Sequence, residues 1–189
     1  MKRGCFMNIT LLNFSPRNNG NCAEICRYIR LYYENANIRS YNVCECVSPC
    51  ANCNYECLKP EERCPNVTDL QIELMDAIRG SDLVYYVIPN FCGMPNGVFY
   101  AFNERSVGYF NMDRAIMGQY MAVKKRFIFV SNTENAMFVE AARQQTRTDP
   151  EILYLKTSQY KKKSIAGDLM ESDEAQADLK NFLSKEFGA

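Results

Sequence analysis

Apolar and polar positions along this chain follow two rhythms: short β-favouring runs, and longer stretches with an apolar residue every third or fourth position. Residues 8–14 form a short run that stops at Ser15-Pro16 and reads as a buried strand. Past the polar stretch Arg17-Asn18-Asn19-Gly20-Asn21, Ile25, Ile29 and Tyr32 or Tyr33 recur at helical spacing. Residues 38–43 predict a second strand. Thr68-Asp69 opens a helix with Leu70, Leu74, Ala77 and Ile78 on one face. Residues 82–89 give the clearest strand, apolar without strict alternation, as suits a parallel strand covered on both faces. Helices are expected over about 96–106 and 113–121 and over 136–145, with strands at 126–131 and 152–155. A C-terminal helix over about 173–187 turns Ala177, Leu179, Phe182 and Leu183 inward. Residues 44–66, dense in Cys, Pro and Asn, show no usable period, and 156–172 is expected to be flexible.

Strands that alternate with helices imply parallel β-α-β units in a three-layer α/β fold. Five strands in this rhythm suit the flavodoxin-like order 2-1-3-4-5 with helices on both faces. No repeat or linker divides the chain, so residues 1–189 read as a single domain with a Cys-rich insertion at about 44–66.

Composition narrows the chemistry. The 22 basic residues equal the 22 acidic ones, which argues against a nucleic-acid partner. Lys124-Lys125-Arg126 and Lys161-Lys162-Lys163 are short enough to be solvated element ends. No run approaches the roughly 20 apolar residues that span a bilayer. Asn8, Thr10, Asn13 and Ser15 interrupt any signal-peptide core. The expectation is a cytoplasmic protein without a membrane partner, in which ten cysteines serve metal binding or redox chemistry more readily than a disulfide framework. The chain has no histidine, which excludes a Ser-His-Asp triad, a Cys-His pair and a His-ligated zinc.

The turn from the first strand into the first helix has the character of an anion site. In open α/β sheets the carboxyl end of a strand faces the ligand crevice, and the next helix presents free N–H groups and the positive end of its dipole. Ser15, Arg17, Asn19 and Asn21 add side-chain donors, and Gly20 admits a close backbone approach. An ordinary polar loop with an Asn cap has the same composition. The loop lacks the Gly-Lys-Ser/Thr ending of a Walker A motif and the spacing of a dinucleotide fingerprint.

The residues Asn13-Phe14-Ser15-Pro16-Arg17-Asn18-Asn19-Gly20-Asn21-Cys22 resemble the Gly-Ser-Pro-Arg-x-x-Gly-Asn-Thr loop of the NADPH-dependent FMN reductase and iron–sulfur flavoprotein family. By that resemblance Ser15, Arg17, Gly20, Asn21 and Cys22 would contact an FMN phosphate. Phe14 stands where the family often has Gly, and Cys22 replaces a Thr or Ser, a thiol being the poorer donor. Residues 81–105 are similar to the family's second loop. There Pro89, Asn90, Phe91, Cys92, Gly93 and Met94 would lie along the isoalloxazine ring, with Phe91 or Met94 packed nearby. Ser131 and Asn132, after the fourth strand, are placed for the ring or the substrate. The resemblance implies an FMN-dependent oxidoreductase or electron-transfer flavoprotein. It would use NAD(P)H or a ferredoxin-like donor, exchange electrons with a small molecule or a protein, and assemble as a homodimer or homotetramer. A flavodoxin-like scaffold that has lost flavin is the alternative.

Cys50, Cys53, Cys57 and Cys64 give the spacing Cys-x2-Cys-x3-Cys-x6-Cys, with Cys44 and Cys46 just upstream. Four thiolates on one loop suit a [4Fe-4S] cluster, a structural zinc uses similar spacings, and free thiols are the third reading. The iron–sulfur flavoproteins that this chain resembles carry a Cys-rich loop at this place.

Overall fold

The computed structural model describes residues 7–51, 53–59, 64–66, 69–111 and 113–186. The expected helix start at Thr68 and helix end at Phe187 lie outside the described residues. The elements in chain order are β1 (Asn8–Asn13), α1 (Asn21–Tyr32), β2 (Asn37–Asn42), α2 (Val43–Cys46), α3 (Gln71–Arg79), β3 (Leu83–Phe91), β4 (Met94–Pro95), α4 (Gly97–Phe110), α5 (Arg114–Ala122), β5 (Lys124–Val130), α6 (Ala136–Arg143), β6 (Glu151–Leu155) and α7 (Asp173–Ser184). Single 3-10 turns occupy Glu56–Leu58 and Leu169–Glu171.

The sheet order is β2-β1-β3-β5-β6, with every neighbouring pair parallel, and β4 adds an antiparallel pairing to the end of β3. The five long strands account for the expected order, and the expected count omits the sixth, two-residue strand. β3 sits at the centre, and its first six residues, Leu83 to Ile88, are all buried. Their alternation divides the core. Leu83, Tyr85 and Val87 join Ile9, Leu11, Ile25, Leu179 and Phe182 under α1 and α7. Val84, Tyr86 and Ile88 join Leu74, Met75, Phe99, Phe102, Phe127 and Phe138 under α3, α4 and α6. A sheet covered on both faces needs this continuous apolar run.

Four expectations about faces and loops are corrected. Lys125 and Arg126, expected at a solvated element end, are buried in β5, and only Lys124 of that cluster is exposed. On α3 the buried stripe is Gln71, Leu74, Met75, Ala77 and Ile78, while Leu70, the residue before the helix, is exposed. On α7 Ala175 takes the inward position and Ala177 is exposed, a shift of two positions that keeps Leu179, Phe182 and Leu183 buried. Residues 156–172 are built into the fold rather than loose, since Tyr160 and Leu169 are buried in the α1–α7 core and the Tyr160 hydroxyl donates to Asp178 Oδ2 at 2.7 Å. None of the described helices is long and apolar enough to cross a membrane.

Candidate functional site

The carboxyl ends of β1, β3 and β5 lie side by side at the point where the strand order reverses, the crevice in which open α/β sheets bind ligands. A cavity of about 330 Å³ opens at the opposite edge, before β5 and β6, lined by Met121, Lys125, Arg147 and Glu151 among others. Topology and donor chemistry, not cavity volume, mark the crevice as the candidate site.

At the end of β1, Phe14 continues the ladder through its N–H to the Val87 carbonyl at 3.0 Å. Its ring is fully buried and stacks on Tyr86 at 5.7 Å between centroids, with Phe99 and Phe102 on its flanks. The departure from Gly at this position is therefore a core device beneath the loop. The chain then turns because Asn13 Oδ1 accepts the Ser15 N–H at 2.9 Å and Ser15 Oγ accepts the Arg17 N–H at 3.2 Å. Gly20 caps α1 in an extended conformation with no side-chain acceptor for the first-turn amides, so the helix begins with its donors open to an anion. Arg17 folds back over this end: a Cβ on Gly20 would stand 3.2 Å from the Arg17 Cβ. Asn19 is exposed.

Two of the proposed phosphate contacts are spent elsewhere. The Asn21 side chain is buried, donating to the Ser164 carbonyl at 3.2 Å and accepting the Leu169 N–H at 3.1 Å. The Cys22 thiol points into the core with Ile9, Leu11 and Ile25, where burial raises its pKa. Positions 21 and 22 thus leave only main-chain N–H groups at the α1 terminus.

The second loop is a hairpin. β3 and β4 pair Asn90 with Pro95 and Phe91 with Met94, and the two residues between, Cys92 and Gly93, both have positive φ, +53° and +81°. Two left-handed residues in a two-residue loop make a type I′ turn, which normally takes Asn-Gly. Asn90 Oδ1 closes the turn on the Gly93 N–H at 2.8 Å, and Asn135 Nδ2 donates to the Gly93 carbonyl at 2.5 Å while its Oδ1 caps α6. Pro89 is half-buried, Cys92 is exposed, and Phe91 and Met94 remain 56% and 43% exposed, which leaves two apolar side chains on the crevice wall.

Asn96, which the sequence pattern marks only as a helix start, joins the two loops. It is buried, and its Nδ2 donates to the Phe14 carbonyl at 2.6 Å while its Oδ1 has no partner. Pro-Asn-Gly before a helix was the available signal, and it reads as a cap. Ser131 Oγ donates to the Thr133 carbonyl at 2.6 Å, and Asn132 Oδ1 accepts from Thr157 Oγ1 and from Ser158. Both side chains organise the strand exits, with Asn132 Nδ2 reaching Ser164 Oγ at 3.3 Å.

The Cys-rich segment lies on α4. Glu104 Oε2 accepts the Cys50 N–H at 3.4 Å, Asn111 Nδ2 donates to the Cys57 carbonyl at 2.7 Å, and Gly108 leaves room for Cys57 and Cys64, whose Cβ atoms would stand 3.4 and 3.3 Å from an added Cβ. Arg105 is buried and brackets the segment. It donates to the carbonyls of Ser48 (2.9 Å) and Asn66 (2.5 Å) and pairs with Asp69. Cys50 is close enough to Cys53 and Cys64 for their charges to couple, and burial raises its thiol and that of Cys57. Among the described residues, however, no three ligating side chains converge as a metal set. The expected [4Fe-4S] or zinc site at Cys50, Cys53, Cys57 and Cys64 thus has no support among the described residues, where hydrogen bonds to α4 and the Arg105 bracket hold the segment.

No family model matches the chain, and no curated protein matches it. Solved structures share its fold. A Trp repressor binding protein from Bacillus subtilis superposes with a TM-score of 0.60 at 12% identity over 95% of this chain and 99% of its own. A flavoenzyme NAD(P)H:(acceptor) oxidoreductase from Paracoccus denitrificans gives 0.52 at 13% identity over 94% and 95%. A flavone reductase gives 0.54 at 13% identity over 96% of this chain and 66% of its own.

Proposed function

We propose that this chain is an FMN-dependent NAD(P)H oxidoreductase. The observation that carries the reading is the pairing of an uncapped α1 amino terminus, overlain by Arg17, with an exposed hairpin at the ends of the adjacent strands β1 and β3. A fold shared with a flavoenzyme NAD(P)H:(acceptor) oxidoreductase supports it.

The residues present fit FMN. Open first-turn amides, the Ser15 hydroxyl and the Arg17 guanidinium suit a phosphate dianion. The buried, unpartnered Oδ1 of Asn96 lacks a donor such as a hydroxyl of the polyol chain. Phe91 and Met94 offer apolar surface to an aromatic ring. Bound FMN would supply hydride chemistry that no side chain here provides. The protein's part is binding and orientation: α1 and Arg17 hold the anion, Asn96 fixes one loop against the other, and Asn135 steadies the hairpin. The same reading takes the chain as a homodimer or homotetramer, with a second copy covering the exposed Phe91 and Met94.

The test is anaerobic mixing of the FMN-loaded protein with NADH or NADPH. The reading expects the visible flavin band to bleach much faster than that of free FMN with at least one of the two. Bleaching only by a reduced ferredoxin would make the chain an electron carrier instead. A protein that takes up no FMN would leave the scaffold alternative.

A further inference from the structure

We propose that the segment 164–167, which follows β6, is a fixed wall of the flavin phosphate site and selects a mononucleotide over a dinucleotide. The proposal rests on the FMN reading. The segment crosses the phosphate loop and meets it at successive points. Arg17 Nη2 donates to the Ile165 carbonyl at 2.8 Å, Asn21 Nδ2 donates to the Ser164 carbonyl at 3.2 Å, and just beyond, the Leu169 N–H donates to Asn21 Oδ1 at 3.1 Å. Gly167, at φ +79°, lies so close that a Cβ there would stand 2.6 Å from the Asn19 carbonyl oxygen and 3.6 Å from the Gly20 Cα. On its other side, Ser164 Oγ shares hydrogen bonds with Thr157 Oγ1 (2.9 Å) and Asn132 Nδ2 (3.3 Å), at the exits of β6 and β5. The wall is thus held to the phosphate loop and to two strand ends together.

This placement has two consequences. One guanidinium N–H of Arg17 is engaged by Ile165, but a guanidinium has five donors, so the fork stays available while being held beside the α1 terminus. Holding it there removes much of the ordering cost of gripping a phosphate. The wall also presents two consecutive carbonyl oxygens, those of Ser164 and Ile165, toward the loop. A terminal phosphomonoester ends at this wall. A diphosphate that continues to a second nucleoside would set its next phosphate against those oxygens or displace the segment.

The test is a set of fluorescence-quenching titrations of the whole chain with FMN, FAD and riboflavin. The native protein is expected to bind FMN at least about tenfold more tightly than FAD. Gly167→Ala combines a strained backbone with a clash against the Asn19 carbonyl. It should weaken FMN about tenfold, narrow the FMN-to-FAD gap and leave riboflavin, which has no phosphate, within about twofold. Ser164→Ala removes the hydroxyl link without touching the backbone and should move the same ratio in the same direction by less. Circular dichroism melting of each variant confirms that the fold persists at the titration temperature. Unchanged FMN-to-FAD ratios in both variants, or a riboflavin loss equal to the FMN loss, would overturn the proposal. If the native protein takes up none of the three flavins, the FMN reading itself fails and the proposal falls with it. If FMN binds and the ratios do not move, only the wall is refuted.

Discussion

At position 22 the thiol lies among Ile9, Leu11 and Ile25, and at position 26, one turn further along α1, burial pushes the thiol up to about 12. Both stay protonated near neutral pH, and the thiolate is the reactive form. Cys92 stands in the open at the tip of the β3–β4 hairpin. Alkylation with iodoacetamide at pH 7.5, followed by mass spectrometry over time, should therefore label Cys92 first and Cys22 and Cys26 last. Raising the pH toward 10 should leave the order unchanged. Labelling of Cys22 as fast as Cys92 would contradict the placement of α1 on the sheet. Some of this was legible from residue types and some was not. Phe14 looked like a flaw in a phosphate loop, yet it is a fully buried ring, worth about 1.5–3 kcal/mol of burial. Cys92 carried no turn signal, because a type I′ position usually advertises itself with Asn or Gly.

Helix α4 shows how one element organises a segment that has no period of its own. Glu104, Arg105, Gly108 and Asn111 fall on one helical face, and each meets the Cys-rich stretch. Burial alone would raise the Asp69 carboxyl, but hydrogen bonds from Arg105 and from the Ser48 and Gln71 N–H groups outweigh it and hold the pKa below its ordinary value. A carboxyl whose folded pKa is depressed adds stability above its unfolded pKa and loses it as pH falls through the folded value. The bracket should therefore hold at neutral pH and fail only below the usual aspartate range. Arg105→Ala removes a buried guanidinium from half-buried Asp69 and from the Ser48 and Asn66 carbonyls and should cost about 1.5–3 kcal/mol, the range for hydrogen bonds to a charged group. Denaturant melts read the loss, and limited proteolysis should place the first new cuts between residues 48 and 66. An unchanged midpoint, or cuts elsewhere, would contradict the bracket. The same scale explains what the sequence hid. Ala175 and Ala177 are interchangeable to a periodicity argument until Leu169 and the preceding turn fix the phase of α7. Residues 156–172 look loose because their main-chain groups find partners far away in the chain, as the Ile165 carbonyl does in accepting from Arg17, 148 positions earlier.

Over the whole molecule, the central strand β3 was the most legible feature: a short apolar run without alternation suits a strand covered on both faces, and its first six residues are all buried. The alternation of strands and helices fixed the parallel sheet, and the reversal of order at β1 and β3 fixed where a ligand would lie. Composition alone left the two loops that flank that point as ordinary polar turns, and their resemblance to a known loop pair singled them out. Their interlock through Asn96, Asn135 and the 164–167 wall was not legible, because it is made of contacts between segments distant in the chain. The assembled edge combines an open helix terminus, a cation folded over it and an apolar hairpin, which together suit a phosphorylated aromatic cofactor. The most direct test is an absorption spectrum of the protein after equilibration with excess FMN and gel filtration. The account predicts a yellow protein peak that retains flavin in equimolar amount, and that loses it when Arg17 is replaced by Ala. A colourless native peak, with all the flavin eluting in the small-molecule volume, would contradict it.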